Sequence, residues 1–252
     1  AVKVARKAEK CYHFEIGDTE ENPNTAKTFI KGSGSYWNGL HSGLLAGEKL
    51  LADLHAMEVA YLENDRNELE ITRPVSLWEL ENRTELYEDE ESVPTPLQNL
   101  KDDGYCEFSI PELLYKIDFP NQYFRRIRDV RVEVIAPDYR GHYLNVELTL
   151  TNNKLDLKGL NEVIENRIGT QTMATSTAHQ ESGKFDFRFG SDKFLPFEGA
   201  GAVDSKWSLE VNGFDNTGDS DETHSFNLKS IDDVIIHLSY TARMGKTQQG
   251  DN

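Results

Sequence analysis

Between Leu40 and Ile71 the apolar positions recur at helical spacing. Leu40, Gly43, Gly47, Leu50, Leu54, Met57 and Tyr61 follow one another in alternating steps of three and four. That is the seam of a helix that packs against other helices. Gly43 and Gly47 stand one turn apart on the seam, which predicts close approach by a neighbouring helix. A solvated glycine costs a helix about 1 kcal/mol against alanine, so a packing reason for both is expected. A shorter helix is predicted over 2–15, which holds neither Gly nor Pro. Pro74 stops the helical pattern. One long and one short helix cannot bury this seam between them. It must pack on helices upstream of Ala1, on neighbouring subunits, or on both.

From Tyr105 the period changes to two. Val130, Val132 and Val134 alternate with Arg131 and Glu133, and Leu144, Val146, Leu148 and Leu150 alternate with Asn145, Glu147 and Thr149. The segment Pro137-Asp138-Tyr139-Arg140-Gly141 between them suits a hairpin. Phe185, Phe187 and Phe189 form a third row, Trp207, Leu209 and Val211 a fourth, and Val234, Ile236, Leu238 and Tyr240 a fifth. Each is a strand half-buried on one side. The fold class read from this is α+β, with long N-terminal helices followed by an antiparallel β-sandwich. Residues 1–100 hold the helical part and an acidic connector; residues 101–252 hold the sandwich and a disordered tail from 245. The connector includes ELENRTELYEDEE, 79–91, with seven acids against one Arg, a composition expected of a solvated face.

Composition narrows the function classes. The 252 residues include 27 Lys and Arg against 44 Asp and Glu, a formal net charge of −17, which disfavours nucleic-acid binding. No apolar run approaches the roughly 20 residues of a membrane-spanning helix. The chain opens AVKVARKAEK without Met, as an excised fragment would. Cys11 and Cys106 make no disulfide framework and are expected as free thiols. The seven His lack zinc-ligand spacing. GSGSYWNG has Trp37 where a phosphate loop needs its last Gly, and no G-x-S-x-G elbow occurs. The acidic loop 215–222 lacks the sixth-position Gly of a calcium loop. No catalytic residue, metal site or cofactor is therefore predicted. The basic cluster Arg125, Arg126, Arg128 and Arg131 is expected to pair with local acids such as Asp129 and Glu133. KFLPFEGAGA, 193–202, reads as a buried corner whose glycines mark a turn or a close approach.

Four blocks together resemble a known family. They are YWNGLHSGLLAGEKLLADLHAMEVAYLENDRNELEITRPVSL (36–77), YCEFSIPELLYKIDFPNQYFRRIRDV (105–130), FLPFEGAGAVDSKWSLEV (194–211) and SIDDVIIHLSYTAR (230–243). In this order they resemble the C-terminal region, the B-subunit-binding domain, of the A subunit of Tc (ABC) insecticidal toxin complexes.

The resemblance implies a non-enzymatic docking module in a secreted, pore-forming translocation subunit. Such A subunits assemble as homo-pentamers around a helical channel, with their C-terminal domains as a collar. The β-propeller of the B–C cocoon docks there, opens, and releases a toxic polypeptide into the channel. Membrane contact would come through upstream segments absent here. Partner contacts are expected from loops at one end of the sandwich, including Asp215, Asp219, Asp221 and Glu222. Phe194 and Phe197 join them if exposed. A carbohydrate-binding sandwich for cell-surface attachment is the alternative reading.

Overall fold

A computed structural model describes residues 1–16, 28–39, 43–64, 67–87, 93–137, 143–156, 163–165, 169–176, 184–187, 195–214 and 227–245. The chain divides into two compact units, Ala1–Asn67 and Glu68–Asn252. This boundary falls earlier than the one expected near residue 100, because the segment after Asn67 joins a sheet.

The first unit is helical. It comprises α1 (Val2–Ile16), the single turn α2 (Ser33–Tyr36) and α3 (Leu44–Asn64). Gly43 has φ +63 and lies outside α3, so it makes a turn before the helix rather than a seam position. Within α3, Leu50 is buried and Leu54 and Met57 are partly buried, packed with Ala5, Tyr12, Phe29, Ile30 and Tyr36. Two carboxylates secure the backbone between α1 and α2. Glu9 accepts from the amides of Phe29 and Ile30 at 2.5 and 2.9 Å. Asp53 accepts the Tyr36 hydroxyl at 2.7 Å, and that hydroxyl accepts from the Lys31 amide at 2.9 Å. The rest of the predicted seam is not packed: Tyr61 is exposed, and a Cβ on Gly47 would meet nothing within 4 Å. Leu40 lies outside the described residues. Leu44, Leu51, Val59 and Leu62 are exposed on the opposite side of the helix. α3 is thus apolar on two faces, and the bare one is not the face the spacing singled out.

The long helix expected to reach Ile71 is shorter. α3 has 21 residues and α1 has 15. Leu69–Ser76 is instead strand β1. Ile71, Thr72 and Val75 are β-branched, and Pro74 fits here because β1 is an edge strand.

The second unit continues with α4 (Leu77–Asn82), α5 (Pro96–Asp103), β2 (Tyr105–Ile110), α6 (Glu112–Asp118), β3 (Gln122–Ile135) and β4 (Tyr143–Asp156). It ends with β5 (Val163–Glu165), β6 (Gln171–Ser176), β7 (Lys184–Phe187), β8 (Val203–Phe214) and β9 (Asp233–Met244). Local signals set the helix ends. The Ser76 hydroxyl accepts from the Glu79 amide at 3.0 Å as the α4 cap. Pro96 opens α5, and Gly104, at φ +73, closes it.

Two antiparallel sheets result. One runs β1-β9-β3-β7; the other runs β2-β8-β4-β5, with β6 also on β4. The buried rows of both meet in one core. Val130, Val132 and Val134 join Ile236, Leu238 and Tyr240 from the first sheet; Leu144, Val146, Leu148, Trp207 and Leu209 come from the second. The expected hairpin between β3 and β4 is not formed, since these strands lie in different sheets. Both alternate correctly, but each turns its apolar row to the shared core instead of pairing edge to edge.

Candidate partner interface

The segment 195–202 is the internal strap of the second unit. The Ile127 amide donates to the Ala200 carbonyl at 2.8 Å, the Gly199 amide to Ile127 at 2.7 Å, and the Ala202 amide to Arg125 at 3.0 Å. These bonds engage β3 where its pairing with β9 shifts register between Tyr123 and Asp129. Gly199 has φ +82. A Cβ on Gly201 would sit 1.8 Å from the Lys154 carbonyl oxygen, so only glycine fits. Phe197 is fully buried, edge-on to Trp207 at 5.1 Å, and its amide donates to Gln171 Oε1 at 2.8 Å. Its exposure, the condition for a partner contact, is not met.

The bulge presents Phe124 at φ +54, fully buried. The Arg243 and Arg126 guanidiniums stack over its ring at 3.9 and 4.9 Å. Glu68 lies between the two cations, 2.9 Å from each. Burial alone would raise the Glu68 carboxyl. Hydrogen bonds from Thr241 and Arg126 and the nearby positive charges outweigh it, and hold the pKa below its ordinary value. For Arg125, Arg126 and Arg128 of the basic cluster, these partners come from other elements and not from the expected Asp129 or Glu133. Arg126 meets Glu68, Arg125 meets Glu112 at 3.4 Å, and Arg128 meets Glu70 at 3.5 Å. Glu133 meets His237 at 2.9 Å on the outer side of the first sheet.

α6 is held by the same kind of chemistry. Its Leu114 and Tyr115 are buried, and the Tyr115 hydroxyl donates to the Ala202 carbonyl at 2.9 Å. Burial pushes that phenol upward. The fully buried Arg125 stacks on the Tyr115 ring at 5.6 Å and donates to the Phe119 carbonyl at 3.2 Å. Arg73 of β1 pairs with Asp118. On its outer side α6 leaves Leu113 and Ile117 in solvent, with Phe119 just beyond. These three were not singled out from sequence, although Pro111 and the four-residue step from Leu113 to Ile117 signal a short helix with one apolar face.

Phe194, Asp215, Asp219, Asp221 and Glu222 lie outside the described residues, as do Glu88 to Glu91 of the acidic connector. Among the described residues no group of three or more His, Cys, Asp or Glu is placed to hold a metal, and no helix is long and apolar enough to cross a membrane. Cys106 is buried, its thiol pushed up to about 12 by desolvation, while Cys11 is exposed.

Residues 1–242 match the family model described as the Tc toxin complex TcA C-terminal TcB-binding domain. The chain belongs to this family. The toxin subunit YenA2 of Yersinia entomophaga is 31% identical over 262 residues, covering 97% of this chain and 17% of YenA2. The TcaA-TcaB structure of Yersinia pseudotuberculosis, solved by cryo-EM, aligns over 94% of the chain and 13% of its own, at 23% identity and TM-score 0.55. That likeness is one of fold. Morganella morganii TcdA4 aligns over 94% of the chain and 10% of its own, at 26% identity and TM-score 0.48. This TcB-binding domain thus spans about a sixth of YenA2's length.

Proposed function

We propose that the chain is the docking module of a toxin A subunit, and that its two sheets form the β-sandwich which grips the B subunit. The observation that carries this is the family match over residues 1–242. The product is binding energy, not bond chemistry. The B subunit must gain more free energy on this module in its open form than in its closed form, or docking cannot open it. Assembly as a pentamer would repeat one contact around a ring and multiply that bias. The subunit acts in a secreted complex, and upstream segments supply the membrane pore. Titration of the immobilised chain with its cognate TcB subunit tests this. Saturable nanomolar binding is expected; no binding at micromolar TcB overturns it.

A further inference from the structure

We infer that the outer face of α6, made by Leu113, Ile117 and Phe119, is the anchor that enters an apolar groove of the TcB partner. This rests on the docking reading and names the surface that serves it.

The three residues are 41%, 47% and 42% exposed. Such exposure is ordinary on a mobile loop, where single apolar residues carry no message. Here it is imposed by rigid structure. A seven-residue helix is too short to persist alone. α6 persists because Leu114 and Tyr115 are buried on its inner side and Asp204 accepts the Glu112 amide at 3.0 Å. Arg125 and Arg73 then hold its far end through the Phe119 carbonyl and Asp118. Contacts from three separate strands fix the helix so that Leu113 and Ile117, one turn apart, point outward. A pre-organised apolar face loses little entropy when it is covered.

The turn after α6 enlarges this face. The Gln122 amide donates to the Phe119 carbonyl at 3.3 Å, and Gln122 pairs in register with Met244, which is 58% exposed. The last residue of β9 thus lies beside the same turn.

The family match names TcB as the occupant, and charge describes the surface that would fit. The chain carries −17, yet the charges on α6 are matched locally. Lys116 binds Glu112 at 2.7 Å, Glu112 also faces Arg125, and Asp118 is taken by Arg73. The face is therefore neutral and apolar on an acidic molecule. A complementary surface is a neutral, apolar groove, since both acids of α6 are already paired. Large apolar anchors surrounded by satisfied polar groups are the usual energetic centre of a protein interface.

The test measures cognate TcB binding by the full chain, its Ile117→Glu and Leu113→Ser variants, and a Tyr105→Ser control on the outer side of β2. Thermal melting and gel-filtration volume of each free variant are recorded alongside. Ile117→Glu is expected to weaken TcB binding about tenfold or more with an unchanged melt, Leu113→Ser less, and Tyr105→Ser not at all. If wild type binds TcB and both α6 variants bind equally well, the anchor is wrong and the docking reading stands. If wild type does not bind, both fall. A loss in Tyr105→Ser equal to that in Ile117→Glu overturns the assignment to α6. A variant that shifts the elution of the free chain marks the face as a contact between copies and also overturns it.

Discussion

Gly201 has no room for a side chain. An added methyl would sit 1.8 Å from the Lys154 carbonyl oxygen and 2.8 Å from the Leu155 nitrogen, both backbone atoms that cannot swing aside. Gly201→Ala must push the strap off β4 or β3, and a destabilisation of about 3 kcal/mol or more is expected from chemical denaturation. The sequence signals this position, because a glycine between alanines in an apolar run implies close approach. Glu68 carried no such signal. Its partner Arg126 is 58 positions away, and no local spacing links the two. The pH response at Glu68 follows from the sign of its shift. Its folded pKa lies below the ordinary 4.5. Ionised Glu68 therefore adds stability fully above about pH 4.5, and that contribution is lost as pH falls through the lower folded value. Glu68→Gln is expected to lower stability at pH 7 and to flatten the loss of stability below pH 4.5. Denaturation midpoints at pH 7, 5 and 3.5 check it; parallel pH profiles for the two proteins would refute it.

At the scale of elements, periodicity identified most inward rows but not their partners. Strands β3, β4, β8 and β9 appear where alternation placed them, because burying one face imposes a period of two. The mistaken hairpin shows what alternation leaves out. An apolar row records that a strand faces a core, and says nothing of which sheet supplies the rest of that core. β1 was hidden for a different reason. The helical pattern of α3 continues numerically past Asn64, and only tertiary pairing with β9 makes the next segment a strand. Gly47 separates two accounts of α3. Its surroundings are empty to 4 Å in the free chain. Gly47→Ala is therefore expected to stabilise the helical unit by about 1 kcal/mol, read as a rise in its melting midpoint. If another helix packs closely over Gly47 in the assembled toxin, the same change should weaken that assembly while stabilising the isolated chain.

Among the described residues, each of the two units has one large core. One joins Ala5, Tyr12, Phe29, Ile30, Tyr36, Leu50 and Ala60; the other draws all its members from residues after Glu68. The first unit, Ala1–Asn67, is below the roughly 70–80 residues at which one core gives ample stability, and an apolar side of α3 stays in water. The second holds both sheets, the strap and α6, so every contact that fixes the α6 face lies within it. Residues 68–252 are thus expected to fold alone, with a cooperative melt at the temperature of the more stable transition of the full chain. If docking belongs to the sheets, this fragment should bind cognate TcB with an affinity within about threefold of the full chain, a difference under 1 kcal/mol. The prediction is exacting because the family match begins at residue 1 and includes the helices. A fragment that melts cooperatively but binds tenfold more weakly would mean that the helical unit forms part of the grip. In that case α3's bare face, and not α6 alone, would become the surface to mutate.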